Sequence, residues 1–328
     1  MKAFVARSYR TADLLELTDL ATPVPADDEI LVRVRATSIN PYDWHHLRGE
    51  PRVARLMPDG PRLRRPRYDV LGCDVAGQVE AVGRDVTRFR PGDDVYALVE
   101  QGGFAEYVTV PEHLLAPKPK NLSYEQTAAI PMAGATALLG VREVGRLRPG
   151  QRILVNGASG GVGTFAVQLA RALGANVTGV CGTRNLDLIR RLGADEILDY
   201  RTADFTRAGQ RYDLVLDVAG NRSLRACRRV LAPDATYAVV GGPAGRWLQP
   251  VGHMVSTFAL APLVPARVAL VDTVRCDTKR GLLETLTELV EDGKLTPVVD
   301  RRYPFDELPA ALAYQERGHP VGKVVVTI

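Results

Sequence analysis

Cysteine is scarce in this 328-residue chain: Cys73, Cys181, Cys227 and Cys276 lie far apart, with no C-x-x-C pair. That excludes a disulfide framework and fits a reducing compartment. Charge of one sign is also lacking, and a net charge of +4 is too mild to point to nucleic acid. There is no long uninterrupted apolar run. The most apolar segment, 254–271, carries Pro262, Pro265 and Arg267, which argues against a membrane span. The start, Met1-Lys-Ala-Phe-Val-Ala, enters a strand pattern without the charged-then-apolar order of a secretory signal, so the expected location is the cytoplasm. Internal repeats and low-complexity tracts are absent. What remains is the composition of an ordinary soluble globular protein, 46% apolar and 24% charged, long enough for two domains.

Residues 152–200 carry the strongest signal. Ile153-Leu-Val-Asn reads as a buried parallel strand, and Gly157-Ala158-Ser159-Gly160-Gly161-Val162-Gly163 as a glycine-rich turn. Residues 164–173 place apolar side chains at helical spacing, Gly174 is a helix stop, and 176–181 form a second strand. This is one βαβ unit. Glycine lets backbone come close to a pyrophosphate, whose charge faces the free N–H groups of the helix start. Gly163 is expected to let the helix pack close to the strand, and Ala158 stands at the first glycine place of G-x-G-x-x-G. The cofactor-binding candidates here are Ala158, Ser159, Gly160, Gly161, Val162 and Gly163.

The end of the second strand selects the cofactor. A site for NADH usually has an acidic residue about 20 residues beyond the turn. Here the chain reads Gly182-Thr183-Arg184-Asn185, without a carboxylate. Arg184 can meet a 2′-phosphate with two hydrogen bonds, and Thr183 and Asn185 can add neutral ones. NADPH is therefore expected over NADH. Asp187 follows closely but is expected to point away from within the next helix.

Residues 1–120 read as short strands bounded by Pro, Gly and Asp, a barrel-like β-rich unit. The arginine- and proline-rich stretch 51–68 is a loop, either a solvated surface or a mobile flap near a substrate mouth. Ser123 and Gln126 form a capping box that opens a helical segment. Strands follow at 196–200, 213–218 and 235–241, alternating with helices. Their carboxyl ends bring Val218, Ala219, Gly220, Val240, Gly241 and Gly242 toward the nicotinamide half. The tail, with helices at 280–292 and 308–317 and strands at 297–300 and 322–328, is expected to rejoin the β-rich part. The fold class is thus α/β: a doubly wound parallel Rossmann sheet, 126–269, inserted into a β-rich domain, 1–125 plus 270–328, with the active site expected in the cleft.

These segments together resemble the zinc-free medium-chain dehydrogenase/reductases, in the quinone oxidoreductase and enone reductase branch. The carriers are Ile39-Asn-Pro-Tyr-Asp43-Trp, Leu71-Gly-Cys-Asp-Val-Ala-Gly77, Phe89-Arg-Pro-Gly-Asp93, Gly103-Phe-Ala-Glu-Tyr107, Ala135-Thr136-Ala, 156–163, Leu192-Gly-Ala-Asp195, Asp199-Tyr200 and Gly322-Lys323-Val. The resemblance covers nearly the whole chain and implies a GroES-like fold for the β-rich domain. It places Asn40, Pro41, Tyr42, Asp43 and His45 beside the nicotinamide, and Thr136 at its ribose or amide. It puts Gly182, Thr183, Arg184, Asn185 and Tyr200 around the 2′-phosphate, and Lys323 near the cleft wall. A homodimer is the family expectation. The chain departs from the pattern at Gly182, where relatives often have serine, and at Pro320 and Val321, near which relatives often have an arginine. No metal is expected, because the places of two zinc ligands hold Asp43 and Gly72-Cys73-Asp74, too few ligands for zinc.

The implied chemistry is hydride transfer from NADPH to a small apolar carbonyl-conjugated acceptor, a quinone or an enone. Tyr42, His45, His46 and Lys323 are the candidate proton donors or polarisers, and Asn40 and Asp43 the organisers. The apolar segment 247–274 suits either a flat acceptor or a subunit interface. A biosynthetic enoyl reductase and a non-catalytic NADPH-binding protein are the alternatives.

Overall fold

The computed structural model describes residues 1–9, 11–56, 62–243, 245–318 and 320–328. The chain divides into two units: Met1–Ala135 with Cys276–Gly293 and Pro297–Ile328, and Thr136–Arg275 with Lys294–Thr296. Both borders fall later in the chain than 125/126 and 269/270. Residues up to 135 stay with the first unit because Asp74 accepts a hydrogen bond from the Met132 N–H at 2.8 Å, and Gly134 lies against Leu286. Residues 270–275 stay with the second because the strand Arg267–Leu270 pairs with Leu231–Val239, and the Val271 N–H donates to the Val239 carbonyl at 2.8 Å.

In the first unit the eleven-residue strand Glu29–Ile39 is the spine. Its branched residues Ile30, Val32 and Val34 are buried with Val75, Val79, Val95 and Val110 from neighbouring strands. It pairs antiparallel with Asp74–Val82, Tyr107–Pro111 and the C-terminal strand Lys323–Thr327. Asp94–Leu98 and Leu115–Pro117 extend the sheet on one side and Val299–Pro304 on the other. That last pairing is parallel, so the chain needs a crossover. The helix Leu308–Glu316 supplies it, and buries Leu308, Ala311 and Leu312 against Phe4, Ile39, Leu47 and Phe104. Residues 41–48, read from the sequence only as a motif, form an α-helix. Pro41 takes its first turn, and Gly49 ends it in the left-handed region at φ 60°. The expected capping box is present: Ser123 N–H donates to Gln126 Oε1 at 3.1 Å, and Gln126 N–H to Ser123 Oγ at 3.3 Å.

The second unit is a six-stranded parallel sheet. Its order is Glu196–Asp199, Asn176–Cys181, Arg152–Asn156, Tyr212–Asp217, Leu231–Val239, Arg267–Leu270. Central residues Ile153, Leu154, Val155, Leu214, Val215 and Leu216 are fully buried, as a parallel sheet covered on both faces requires. The order reverses between Arg152–Asn156 and Tyr212–Asp217, where ligands of such sheets bind beyond the strand ends. The apolar segment around 254–271 is a helix, Val251–Leu260, a short 3-10 turn, and the edge strand. In the 51–68 stretch, Arg52–Leu56 is a 3-10 turn, while 57–61 of the expected loop or flap lie outside the described residues.

Candidate active site

The strand Arg152–Asn156 delivers the chain into the glycine turn. Gly157 makes the turn at φ +93°, and the Gly157 and Ala158 N–H groups both donate to the Val180 carbonyl. Gly157 thus makes the tight turn, and Ala158, at the first fingerprint place, is buried. Gly160 caps the helix Gly161–Ala172, whose first backbone bond runs from Thr164 N–H to the Gly160 carbonyl. The preceding N–H groups, at Gly161, Val162 and Gly163, lie ahead of the helical ladder, the position from which a helix start can hold an anion. A Cβ on Gly163 would overlap the Gly157 carbonyl oxygen and the Ala158 backbone. Gly163 thus lets the helix start come close to the turn that directly follows the strand.

Three turns meet at the switch point. Val218 and Ala219 N–H groups donate to the Asn156 carbonyl at 3.0 and 3.2 Å. A Cβ on Gly220 would overlap Gly242, and one on Gly241 would lie 2.7 Å from the Val218 carbonyl oxygen. Val240 N–H donates to the Asp217 carbonyl at 3.0 Å. The organiser is a residue that sequence reasoning missed. Asp217, fully buried, accepts from Asn156 Nδ2 at 2.7 Å, from Gly220 N–H at 2.9 Å and from the Tyr237 hydroxyl. A carboxylate at a strand end, one residue before a turn, was the available signal. Thr136 lies buried in the same unit, its hydroxyl accepting from Thr273 at 2.9 Å.

At the end of Asn176–Cys181, Arg184 is exposed, and Tyr200 packs over Gly182 with its hydroxyl 3.0 Å from where a Cβ would stand. Asp187 opens the helix Leu186–Arg191 and pairs with Arg190 at 2.8 Å. The tip is nonetheless not free of carboxylates. Asp199, on the adjacent strand, accepts from the Thr183 hydroxyl at 2.6 Å and from the Arg201 N–H at 2.9 Å. The Thr183 proton is therefore engaged by Asp199, and within 183–185 the side-chain donors left for a phosphate are those of Arg184 and Asn185.

In the first unit the helix Pro41–Arg48 starts on a buried polar cluster. Asp43 Oδ2 accepts from the Asn40 N–H at 2.7 Å, and Asn40 Nδ2 donates to Asp74 at 2.9 Å. Lys323, 4% exposed, sits at the centre. Its ammonium donates to the Asn40 carboxamide oxygen, and at 3.2 Å to both the Ile39 carbonyl and Asp74. Ser38 also donates to Asp74. The sequence therefore brings Asn40, Asp43 and Lys323 together, but Lys323 lies below the helix start, with its protons engaged. His45 Nδ1 meets the Glu50 carbonyl at 2.8 Å, and its ring stacks on Trp44. The Tyr42 and His46 rings are 4.1 Å apart.

Burial sets the proton affinities. Desolvation holds His45 down at about 4 and pushes the Tyr42 phenol well above its ordinary value, so both are neutral near pH 7. Asp43 is raised from 3.8 to about 7, chiefly by desolvation and also by the nearby Asp74, against the opposing pull of the Asn40 N–H and Lys323. A raised carboxyl binds its proton more tightly in the folded state. Its stabilisation is full below about pH 4 and is lost as pH rises through about 7. Between pH 5 and pH 8 the loss is expected to be on the order of 2–3 kcal/mol, and Asp43→Asn is expected to flatten it. Guanidinium unfolding at the two pH values checks this, and an unchanged slope in the variant would remove the assignment.

The same cluster does not suit a zinc ion. Cys73 is a buried thiol, held well above its ordinary value by desolvation, and it donates to the Glu100 carbonyl at 3.3 Å. A cysteine binds zinc as the thiolate, and zinc takes three or four protein ligands. The Asp74 carboxylate already faces an ammonium and three further donors, Ser38, Asn40 and the Met132 N–H.

A parallel sheet with a glycine turn opening a helix at its switch point, in one chain with the β-rich unit, defines a nicotinamide-dependent oxidoreductase. Residues 26–120 match the alcohol dehydrogenase GroES-like domain, and 192–326 match a family described as zinc-binding dehydrogenase. The mitochondrial NAD(P)H oxidoreductase RTN4IP1 of Mus musculus is 34% identical, over 100% of this chain and 89% of that one. The chloroplast envelope quinone oxidoreductase homolog of Arabidopsis thaliana is 33% identical, over 95% and 93%. The structure of the quinone oxidoreductase from Coxiella burnetii superimposes with a TM-score of 0.84, at 26% identity over 100% and 99%. The chain belongs to the medium-chain dehydrogenase/reductases, in their quinone oxidoreductase branch. Among the described residues no helix is long and apolar enough to cross a membrane.

Proposed function

We propose that the protein is an NADPH-dependent reductase that passes a hydride to a quinone or an α,β-unsaturated carbonyl without zinc. The observation that carries the cofactor reading is the rim beyond Asn176–Cys181, where Arg184 is exposed and Asp187 is engaged by Arg190. A guanidinium meets a 2′-phosphate with paired charge-assisted bonds. Asp199 favours the second reading, NADH, because a carboxylate at this rim suits ribose hydroxyls.

The dihydronicotinamide supplies the hydride when bound. The chain's own part is to bind, orient and hold protons. The Tyr42 phenol keeps its proton through the neutral range and serves as hydrogen-bond donor to the oxygen on which charge develops. His45 is the weaker candidate, because its imidazolium is scarce at pH 7 and Nδ1 is engaged by Glu50. Asn40 and Asp43 hold the helix start, and Lys323 is a positioning residue. Exposed Trp247, Leu248, Val255 and Leu263, together with the edge strand Arg267–Leu270, support a homodimer. Four free cysteines support the cytoplasm as its compartment.

The test is NADPH and NADH oxidation against ortho- and para-quinones and α,β-unsaturated ketones and aldehydes. Arg184→Ala is expected to raise KM for NADPH about tenfold to a hundredfold and leave NADH unchanged. A preserved preference would remove the role of Arg184. Tight NADPH binding without turnover on any acceptor would leave a dedicated biosynthetic substrate or a non-catalytic role.

A further inference from the structure

The first unit holds a cavity of about 500 Å³ that the cofactor and helix residues above do not use. Arg62, Arg65, Arg67, Tyr68, Asp69 and Gln101 line it, so three guanidinium-bearing side chains face one carboxylate. The backbone around it is tied down. Ala6 N–H donates to the Asp69 carbonyl at 2.7 Å, and Val70 bridges to Val5. The Tyr9 hydroxyl donates to the Arg62 carbonyl. Arg55, 3.9 Å above the Tyr9 ring, donates to the carbonyls of Gly49 at 2.7 Å, Arg48 at 3.0 Å and Leu63 at 3.4 Å. Tyr68 donates to Glu100 at 2.7 Å.

Gln101 is the second observation. Both polar atoms of its carboxamide are shielded from solvent, and neither has a partner among the described residues. Leaving such a group unsatisfied costs roughly 1–3 kcal/mol, so native structures rarely do so without a ligand or water. A carboxamide beside guanidinium groups suits an oxyanion, which accepts from all of them. The cavity also adjoins the helix Pro41–Arg48. Tyr68 and Glu100 lie close enough to Tyr42 to act on its phenol, and the Glu100 carbonyl accepts from Cys73, itself 3.6 Å from Asp43.

We propose that this cavity is an anion subsite, in which Arg65, Arg67 and Gln101 hold a carboxylate or phosphate carried by the acceptor. It rests on the reductase reading for the word acceptor, and on the cavity alone for the anion. The preferred substrates are then enones or quinones with an acidic tail rather than neutral ones.

The test is calorimetric titration of the full chain with 4-oxooctanoate, its methyl ester and, as competitors, inorganic phosphate and acetate. The acid is expected to bind about tenfold more tightly than the ester, and added salt to shrink the difference. The double variant Arg65→Ala, Arg67→Ala and the single variant Gln101→Leu are expected to abolish the difference and leave the ester unchanged. Displacement by phosphate alone assigns the anion as a phosphate, and displacement by acetate alone as a carboxylate. Equal binding of acid and ester, or a preference that survives the double variant, overturns the subsite. Turnover of neutral para-benzoquinone in the same preparations reports on the reductase reading alone. Its absence with the acid preference intact would remove that reading and leave the subsite standing.

Discussion

Replacing Lys323 by methionine is expected to lower stability by about 3–5 kcal/mol, the usual result of leaving one member of a buried ion pair alone. The side chains are 5% and 0% exposed, so solvent does not take over when the ammonium is removed. Asp74 would keep its donors from Ser38, Asn40 and Met132 but lose the ammonium that pairs with it. Adding Asp74→Asn to Lys323→Met is expected to restore most of the loss, because the uncompensated charge goes with it. The two variants also separate positioning from catalysis. Lys323 holds the Asn40 carboxamide, and with it the start of the Tyr42 helix, so kcat is expected to fall in Lys323→Met and to stay low in the double variant, which still lacks that bond while its stability recovers. Denaturant midpoints and steady-state kinetics on both variants check this. A stability loss below about 1 kcal/mol, or no recovery of stability in the pair, would show that the ion pair does not hold the site.

Gly163→Ala is expected to weaken NADPH binding about tenfold to a hundredfold and to lower stability as well. The added methyl would overlap the Gly157 carbonyl and the Ala158 backbone, so the turn must move. Overpacking of this kind costs roughly 1–3 kcal/mol, and every 1.4 kcal/mol is tenfold in affinity. The N–H groups of residues 161–163 move with the turn. Gly160→Ala is the matching control. Its Cβ would lie 3.6 Å from the Gly157 carbonyl oxygen, an ordinary contact, so the folded chain tolerates it. Binding should nevertheless weaken, because that Cβ stands where the pyrophosphate comes close to backbone. Fluorescence titration with NADPH and thermal unfolding of both variants separate the effects. Gly163→Ala with parental affinity would remove the phosphate-binding role of the turn.

The fold was largely legible in the sequence. Branched apolar runs between glycine turns announce parallel strands because such strands are buried on both faces, and the 153–156 and 214–217 runs are. The glycine turn was legible for the same local reason. Its internal division was not: the sequence offers Ala158 at the fingerprint place, and only backbone geometry shows Gly157 at φ +93° taking the turn. The helix Pro41–Arg48 was missed because its residues are too mixed to show a clear apolar face, and its N-cap, Asn40, was read as part of a motif.

The charged residues show the limit most clearly. Asp199 lies 16 positions beyond Thr183 in the chain yet accepts from its hydroxyl, because parallel pairing sets the two strand ends side by side. Lys323 reads as a site residue from its motif, but its burial against Asp74, 249 positions away, depends on Glu29–Ile39 pairing with both Lys323–Thr327 and Asp74–Val82. The sequence by itself determined the secondary-structure alternation, the dinucleotide turn and the family, since these rest on periodicity and on local backbone demands. Only the tertiary structure decided which charges are buried, which hydroxyls are engaged and that three arginines and Gln101 share a cavity. Such facts are distances between residues far apart in the chain, and local chemistry does not encode them.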